Sequence, residues 1–377
     1  MCRCCGRIAL HAIDRGTRGR RLSLLGRREG AKAMEATGKS ERLNRIVDTA
    51  RVHFGRPVCK VTAPGGENRS SFRLHFDDMD VIATLRPNVR RTHLEAFVLE
   101  RLRAHCDDLP ECLGVVGEVL FQSDVGGRRL NQEIMRHTET GRLDLAAQAA
   151  AAIFRIHSAA RRADLHQMLP HLGGSETWIS NLVAAVDSLQ PYSMGIDARF
   201  DRAAAAERLA CPGGQFVKWD CRSGNAALDR AGRLRWFDFE YCGLRHGAED
   251  FAWLIGDEAW PIAPDQMVDV MIDAFDPGCG HRIDTYLDYL SVYLTFHCVQ
   301  RFKLIVKEAR TRGWLSKARV RKYDDAGVHP EFAMQICSVG AYFAAQSPVT
   351  APLARNFEGA VDSFREILRE GRSLKSA

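Results

Sequence analysis

Two hydrophobic periods divide this chain. Up to about residue 135, apolar positions mostly alternate with polar ones or fall in short runs bounded by turn residues, as strands do. From Asp144 onward they recur every three to four residues, as amphipathic helices do. The first half predicts a short helix over Glu41–Val52, with Leu43, Ile46, Val47 and Ala50 on one face. Strands are predicted at Val58–Thr62, Phe72–Phe76 and Asp80–Arg86, then an amphipathic helix over His93–Arg103. Val115–Phe121, a turn at Gly126-Gly127 and Leu130–Met135 read as a closing strand pair. The second half predicts helices at Leu145–His157, Trp178–Leu189, Asp284–Ala309, Pro330–Ala344 and Pro352–Leu368. No internal repeat interrupts this order. The pattern implies an α+β protein: a small sheet-bearing region over 35–135, then a mainly helical region over 136–377.

Composition changes this picture at one place. The net charge of +6 suggests a polyanion-binding protein, but residues 1–33 hold nine Lys/Arg against two Asp/Glu, which leaves the rest about one unit negative. The folded part therefore lacks the basic footprint of a nucleic-acid binder. Residues 1–34 read as a basic tail; a targeting peptide and a start at Met34 are the other readings. Ile8–Ile13 is too short and too interrupted by His11 for a secretory core. No run of about eighteen apolar residues predicts a membrane span. Of the twelve cysteines, only Cys2 and Cys5 stand at C-x-x-C spacing, and no second pair completes a four-ligand site. Scattered free cysteines behave as small buried hydrophobes and fit a reducing, cytoplasmic setting.

The chemistry concentrates between Phe216 and Gly256. Asn225 follows Asp220 by five positions, and Asp238 lies beyond a hairpin pattern: Ala226-Ala227-Leu228, a turn at Asp229–Gly232, then Leu234 and Trp236. If Leu228 pairs with Arg233, Asn225 lies opposite Trp236 and Asp238 just past the strand end. The two ends of a hairpin are only about 5 Å apart, so Asn225 and Asp238 converge near Asp220. Two oxygen donors beside a third carboxylate suit a hard cation such as Mg2+. Asp and Asn near hairpins also serve local hydrogen bonding; it is the series that exceeds that role. Upstream, Ala63–Ser71 reads as a glycine loop between strands, where Gly65 and Gly66 would let the backbone approach a phosphate. A plain turn is the alternative.

The series Asp220, Asn225, hairpin, Asp238-Phe239-Glu240 and Asp250 in an apolar helix resembles the catalytic half of the kinase-like phosphotransferases. It is most similar to the aminoglycoside phosphotransferase and choline kinase superfamily, over roughly Pro64 to Ala252. That resemblance implies a two-lobed protein-kinase-like fold and ATP-dependent transfer of the γ-phosphoryl group to a small-molecule hydroxyl. Asp220 would orient the acceptor and receive its proton, while Asn225 and Asp238 would hold Mg2+ across the phosphates of ATP. Gly65, Gly66 and Asn68 look like the loop over those phosphates, although the Asn comes one residue early. Arg86, in Thr84-Leu85-Arg86-Pro87, would be the phosphate-binding cation. Glu95 would be its helix partner, unless it is a solvated residue of a first helical turn. Glu133 falls where the lobes of such a fold join, beside the adenine edge. Asp250 would brace the catalytic loop, and His157 would be structural.

One departure stands out. The superfamily often has His-Gly before the loop Asp, and this chain has Lys218-Trp219. A basic Lys218 is not expected to make a neutral imidazole's contacts. The departure supports an alternative, a kinase-like nucleotide-binding regulator without turnover. A protein kinase is disfavoured by the lack of H-R-D and A-P-E motifs. The acceptor stays open among aminoglycoside-, choline/ethanolamine-, sugar- and homoserine-like molecules. Tyr286, Tyr289, Tyr293, Trp253 and Trp260 could face a cationic substrate, though a helical tyrosine stripe is more often core. A small-molecule partner is expected, without nucleic acid; a homodimer is compatible with the sequence.

Overall fold

The computed structural model describes residues 40–64, 66, 70–210, 213–372 and 374. These divide into two compact units, one running to Ala96 and including Cys112–Asp124, the other Phe97–Glu111 and everything from Val125. The chain passes between them after Ala96, Glu111 and Asp124.

In the first unit the alternation of apolar residues builds a five-stranded antiparallel sheet. Its strands are β1 (Lys60–Thr62), β2 (Ser71–His75), β3 (Asp80–Leu85), β4 (Cys112–Val116) and β5 (Val119–Ser123), in the order β1-β2-β3-β5-β4. Pairing of Phe72 with Ala83, Ala83 with Phe121, and Leu85 with Val119 puts the buried side chains in rows across one face. Helix α1 (residues 40–54) covers that face through Ile46 and Ala50. A one-residue slip in any strand would turn its whole apolar set outward, so burial specifies the register. Helix α2 (Val89–Arg103) follows β3.

The second unit is mainly helical. A two-residue strand β6 (Arg128–Arg129) leads into a one-turn helix α3 (Leu130–Glu133). The expected strand over Leu130–Met135 is therefore helical. Strand pairing there is limited to Arg128 and Arg129, which lie opposite Leu228 and Ala227. Thr138 caps α4 (Glu139–Arg162) by accepting from Gly141 N, and an alanine-rich stripe lets this helix pack closely. Then come α5 (Glu176–Ala184), α6 (Arg202–Leu209), β7 (Gln215–Val217), β8 (Ala226–Leu228), β9 (Leu234–Trp236), β10 (Gly243–Arg245) and α7 (Ala248–Ile255). The helices α8 (Pro264–Ala274), α9 (Ile283–Arg312), α10 (Lys317–Tyr323), α11 (Pro330–Ala345) and α12 (Ala354–Glu370) complete the unit. The long α9 is its axis, packed on α7 and α11. Among the described residues no helix is long and apolar enough to cross a membrane, and every described cysteine is free.

Candidate active site

The β8–β9 hairpin carries the site at its base. Its register is Leu228 opposite Leu234 and Ala226 opposite Trp236, one residue away from the expected pairing of Leu228 with Arg233. Asp229 causes the shift. Its backbone N donates to Arg233 O, and its carboxylate accepts from Ala231 N and Arg233 N, closing a longer tip. Asn225 accordingly meets Phe237, whose N donates to Asn225 O at 3.0 Å. Asp238 is the next residue.

Three residues at the base hold left-handed backbone that costs about 1–3 kcal/mol each for a non-glycine residue: Trp219 (φ 60°), Asp220 (φ 54°) and Asp238 (φ 66°). Long-range hydrogen bonds hold them there. The buried carboxylate of Asp250, on α7, accepts from Lys218 N at 2.8 Å and Trp219 N at 2.7 Å. His157 of α4, fully buried, lies 2.9 Å from the same carboxylate through Nε2. Asn225 Nδ2 donates to Asp220 O at 2.9 Å.

Lys218 is engaged inside the site. Its side chain is buried, and Nζ donates to Asp238 O at 3.0 Å and to Asp220 O at 3.4 Å. It also lies over the ring of Phe239, 5.3 Å from the centroid. An ammonium group has several donors and can serve two carbonyls at once. Lys218 thus ties the loop of Asp220 to the loop of Asp238.

Sequence reasoning missed the charges around Asp220. Arg222 Nε donates to Asp220 Oδ1 at 2.7 Å, and Arg222 Nη2 stands 3.2 Å from Asp324 at the end of α10. Burial pushes the Asp220 carboxyl up, but Arg222, with Lys218 and Arg301 behind it, outweighs burial and holds it below the usual range. Asp257 accepts from Ser223 Oγ at 2.6 Å. Burial and the neighbouring Glu258 and Asp324 raise its pKa. Glu258 and Arg301 form a buried bidentate pair at 2.7 and 2.9 Å. The arginine two residues after Asp220 was the one local signal; the partners on α9 and α10 left none.

No protein-family model matches the chain, and no curated protein does. Its structure is similar to macrolide 2'-phosphotransferase MphH from Brachybacterium faecium, with a TM-score of 0.50 at 12% identity over 75% of this chain and 98% of that one. It is also similar to the spectinomycin phosphotransferase APH(9)-Ia in complex with ADP and spectinomycin, with a TM-score of 0.51 at 11% identity over 78% of this chain and 98% of that one. The fold is that of the kinase-like phosphotransferases.

Within this kinase-like fold the remaining sequence candidates fall as follows. In the first unit Arg86 Nη1 lies 2.6 Å from Glu95 Oε2, both side chains buried. Gly66 turns back on Ala63, its N donating to that carbonyl at 2.9 Å, with φ 91°; Gly65 and Asn68 lie outside the described residues. Glu133 has a buried side chain. It sits in α3, held by Arg128 Nη2 at 2.6 Å and Arg136 Nη1 at 2.9 Å. Tyr286, Tyr289, Tyr293, Trp253 and Trp260 are all buried in the helical core. Tyr289 donates its hydroxyl to Glu249 at 2.8 Å, beside the fully buried Arg245. Trp219 is half-buried, as is Trp178, and is flanked by Trp178 and Trp253 at centroid distances of 6.4 and 6.2 Å.

Among the described residues no group of three His, Cys, Asp or Glu could hold a metal by itself. A protein that supplies only two donors fits a cation completed by phosphate oxygens, as Mg2+ usually is. The amide of Asn225 meets that requirement, because its nitrogen is committed to the Asp220 carbonyl and its oxygen is the remaining ligand atom.

Proposed function

We propose that this protein transfers the γ-phosphoryl group of ATP to a hydroxyl of a small molecule. The observation that carries the reading is Asp220, a buried carboxylate kept ionised by Arg222 in a strained loop that Asp250, Asn225 and Lys218 hold in place. Strain stabilised by so many partners is typical of functional loops. Asp220 orients the acceptor hydroxyl and takes its proton as the new O–P bond forms and the bond to the departing ADP breaks. Asn225 and Asp238 hold Mg2+, which when bound supplies neutralisation of phosphate charge. Arg86, buried against Glu95, steadies the nucleotide phosphates through its planar fork. Asp250 touches neither substrate; it positions the loop. The acceptor class is aminoglycoside-, amino-alcohol-, sugar- or homoserine-like.

A nucleotide-binding regulator without turnover is the second reading, and one observation favours it: Oδ1 of Asp220 is already engaged by Arg222. ADP release with Mg-ATP and a panel of these acceptors separates the two. Acceptor-dependent release that disappears in Asp220→Ala supports the transferase. Tight Mg-ATP binding with no release for any acceptor leaves the regulator.

A further inference from the structure

A cavity of about 530 Å³ opens at the opposite end of the hairpin from Asp220, lined in part by Arg103, Arg155, Arg162 and Arg233. The hairpin separates the two places, since Asn225 and Asp238 lie at its base and Arg233 at its tip. Three strand residues between them span about 10 Å. Three elements converge on this cavity. Gln148, Arg155 and Arg162 recur every seven residues along α4, so they form one stripe with a rise of about 10.5 Å between neighbours. The end of α2 supplies Arg103, the loop after it Asp107 and Asp108, and the hairpin tip Arg233.

The arginines are exposed, and hydrogen bonds to the surrounding backbone and carboxylates fix part of the wall. Asp108 is buried, holds Arg155 through two bonds of 2.7 and 3.0 Å, and accepts on its backbone oxygen from Trp236 N at 2.8 Å. Arg162 Nη2 donates to His105 O at 3.0 Å, and Arg103 pairs with Asp107. The backbone of Arg233 is locked by Asp229, and its side chain has no carboxylate partner among the described residues. Against the four arginines stand Asp107 and Asp108, which leaves two positive charges in excess. A phosphate monoester carries about −1.5 to −2 at neutral pH, so it matches that excess. A volume of this size suits a small molecule.

We infer that this cavity is a second anion site, separate from the candidate active site, and that it binds a small phosphate monoester through Arg162 and Arg233 with Arg155 as a fixed wall. The inference does not depend on the phosphoryl-transfer reading, because it concerns binding alone. Free phosphate presents the same phosphoryl group, so both belong in the test.

Calorimetric titration of the whole protein with glycerol 3-phosphate, inorganic phosphate and glycerol tests it. Saturable binding of either anion, with glycerol silent, is expected. Arg233→Gln and Arg162→Gln should each weaken it about tenfold or more, the effect of losing one charge-assisted contact. Arg86→Ala should leave it unchanged, which separates this cavity from the nucleotide phosphates. Tighter binding of the ester than of phosphate shows that the cavity also reads the carbon skeleton; equal binding shows that it reads the phosphoryl group alone. Either supports the site. Arg233→Gln is the secure variant, because that side chain supports no described neighbour. Unchanged affinity in Arg233→Gln and Arg162→Gln overturns the inference. So does loss of binding in Arg86→Ala only, or no saturable binding to the wild type.

Discussion

Lys218 Nζ donates to the carbonyl oxygen of Asp238 at 3.0 Å, across twenty residues of sequence. Asp238 stands in left-handed backbone at φ 66°. The bond joins the loop of the candidate base to the loop of the candidate metal ligand, so the positions of Asp220 and Asp238 are coupled through one buried ammonium.

Lys218→Met removes that coupling and takes the ammonium donor from the Asp238 carbonyl, while the Asp220 carbonyl keeps Asn225 Nδ2. Stability should fall by about 1.5–3 kcal/mol, the range for hydrogen bonds to a charged group. Lys218→His, which keeps a single donor, should recover part. Denaturant titration reads both; an unshifted midpoint in Lys218→Met means the tie contributes nothing.

Asp220→Ala should lower phosphoryl transfer by about 10²–10⁴-fold, as loss of a positioned general base does. ATP affinity should hardly change, because the residue acts on the acceptor. Turnover near wild type with an accepted substrate would remove Asp220 from the mechanism.

Arg222→Gln should move the acid limb of the pH–rate profile. Burial raises the Asp220 pKa and Arg222 is the main influence that lowers it, with a net shift downward. A base must be ionised, so activity is lost as pH falls through its pKa. Without Arg222 that pKa rises and the limb moves to higher pH. A limb that stays in place or moves downward contradicts the assignment of Arg222 as the group holding Asp220 ionised.

Asp238→Ala should weaken Mg-ATP binding while ATP without metal binds as before. Calorimetry with and without Mg2+ gives the comparison. Equal Mg-ATP affinity in mutant and wild type would falsify the metal role.

Arg86→Ala should reduce ATP affinity roughly ten- to a hundredfold, from a lost contact of about 1.5–3 kcal/mol. Glu95→Ala leaves a buried guanidinium without its carboxylate, so it should also destabilise the protein, by about 3–5 kcal/mol. The double mutant should lose less than the sum, since the two share one contact. Wild-type ATP affinity in both single mutants would place the cation elsewhere, with Lys60 next to examine.

What the sequence determined by itself is what depends on near neighbours. Alternation in Phe72, Leu74 and Phe76 specified a half-buried strand, and the spacing of Asp220, Asn225 and Asp238 around a hairpin located the candidate site. Asp250 stood out as a carboxylate in an apolar helix, and every residue of that helix is buried. Only the tertiary structure decided the rest. The hairpin register moved by one residue because Asp229 closes the tip with its own carboxylate. Leu130–Glu133 became helical where pairing with Ala227 and Leu228 stops at Arg129. The role of Lys218 depended on a carbonyl twenty residues on, and the state of Asp220 on Arg222 and its link to Asp324. Periodicity reports which face of an element is apolar. Which distant polar groups then meet in the buried interior, where each must find a partner, is settled only when the helices pack.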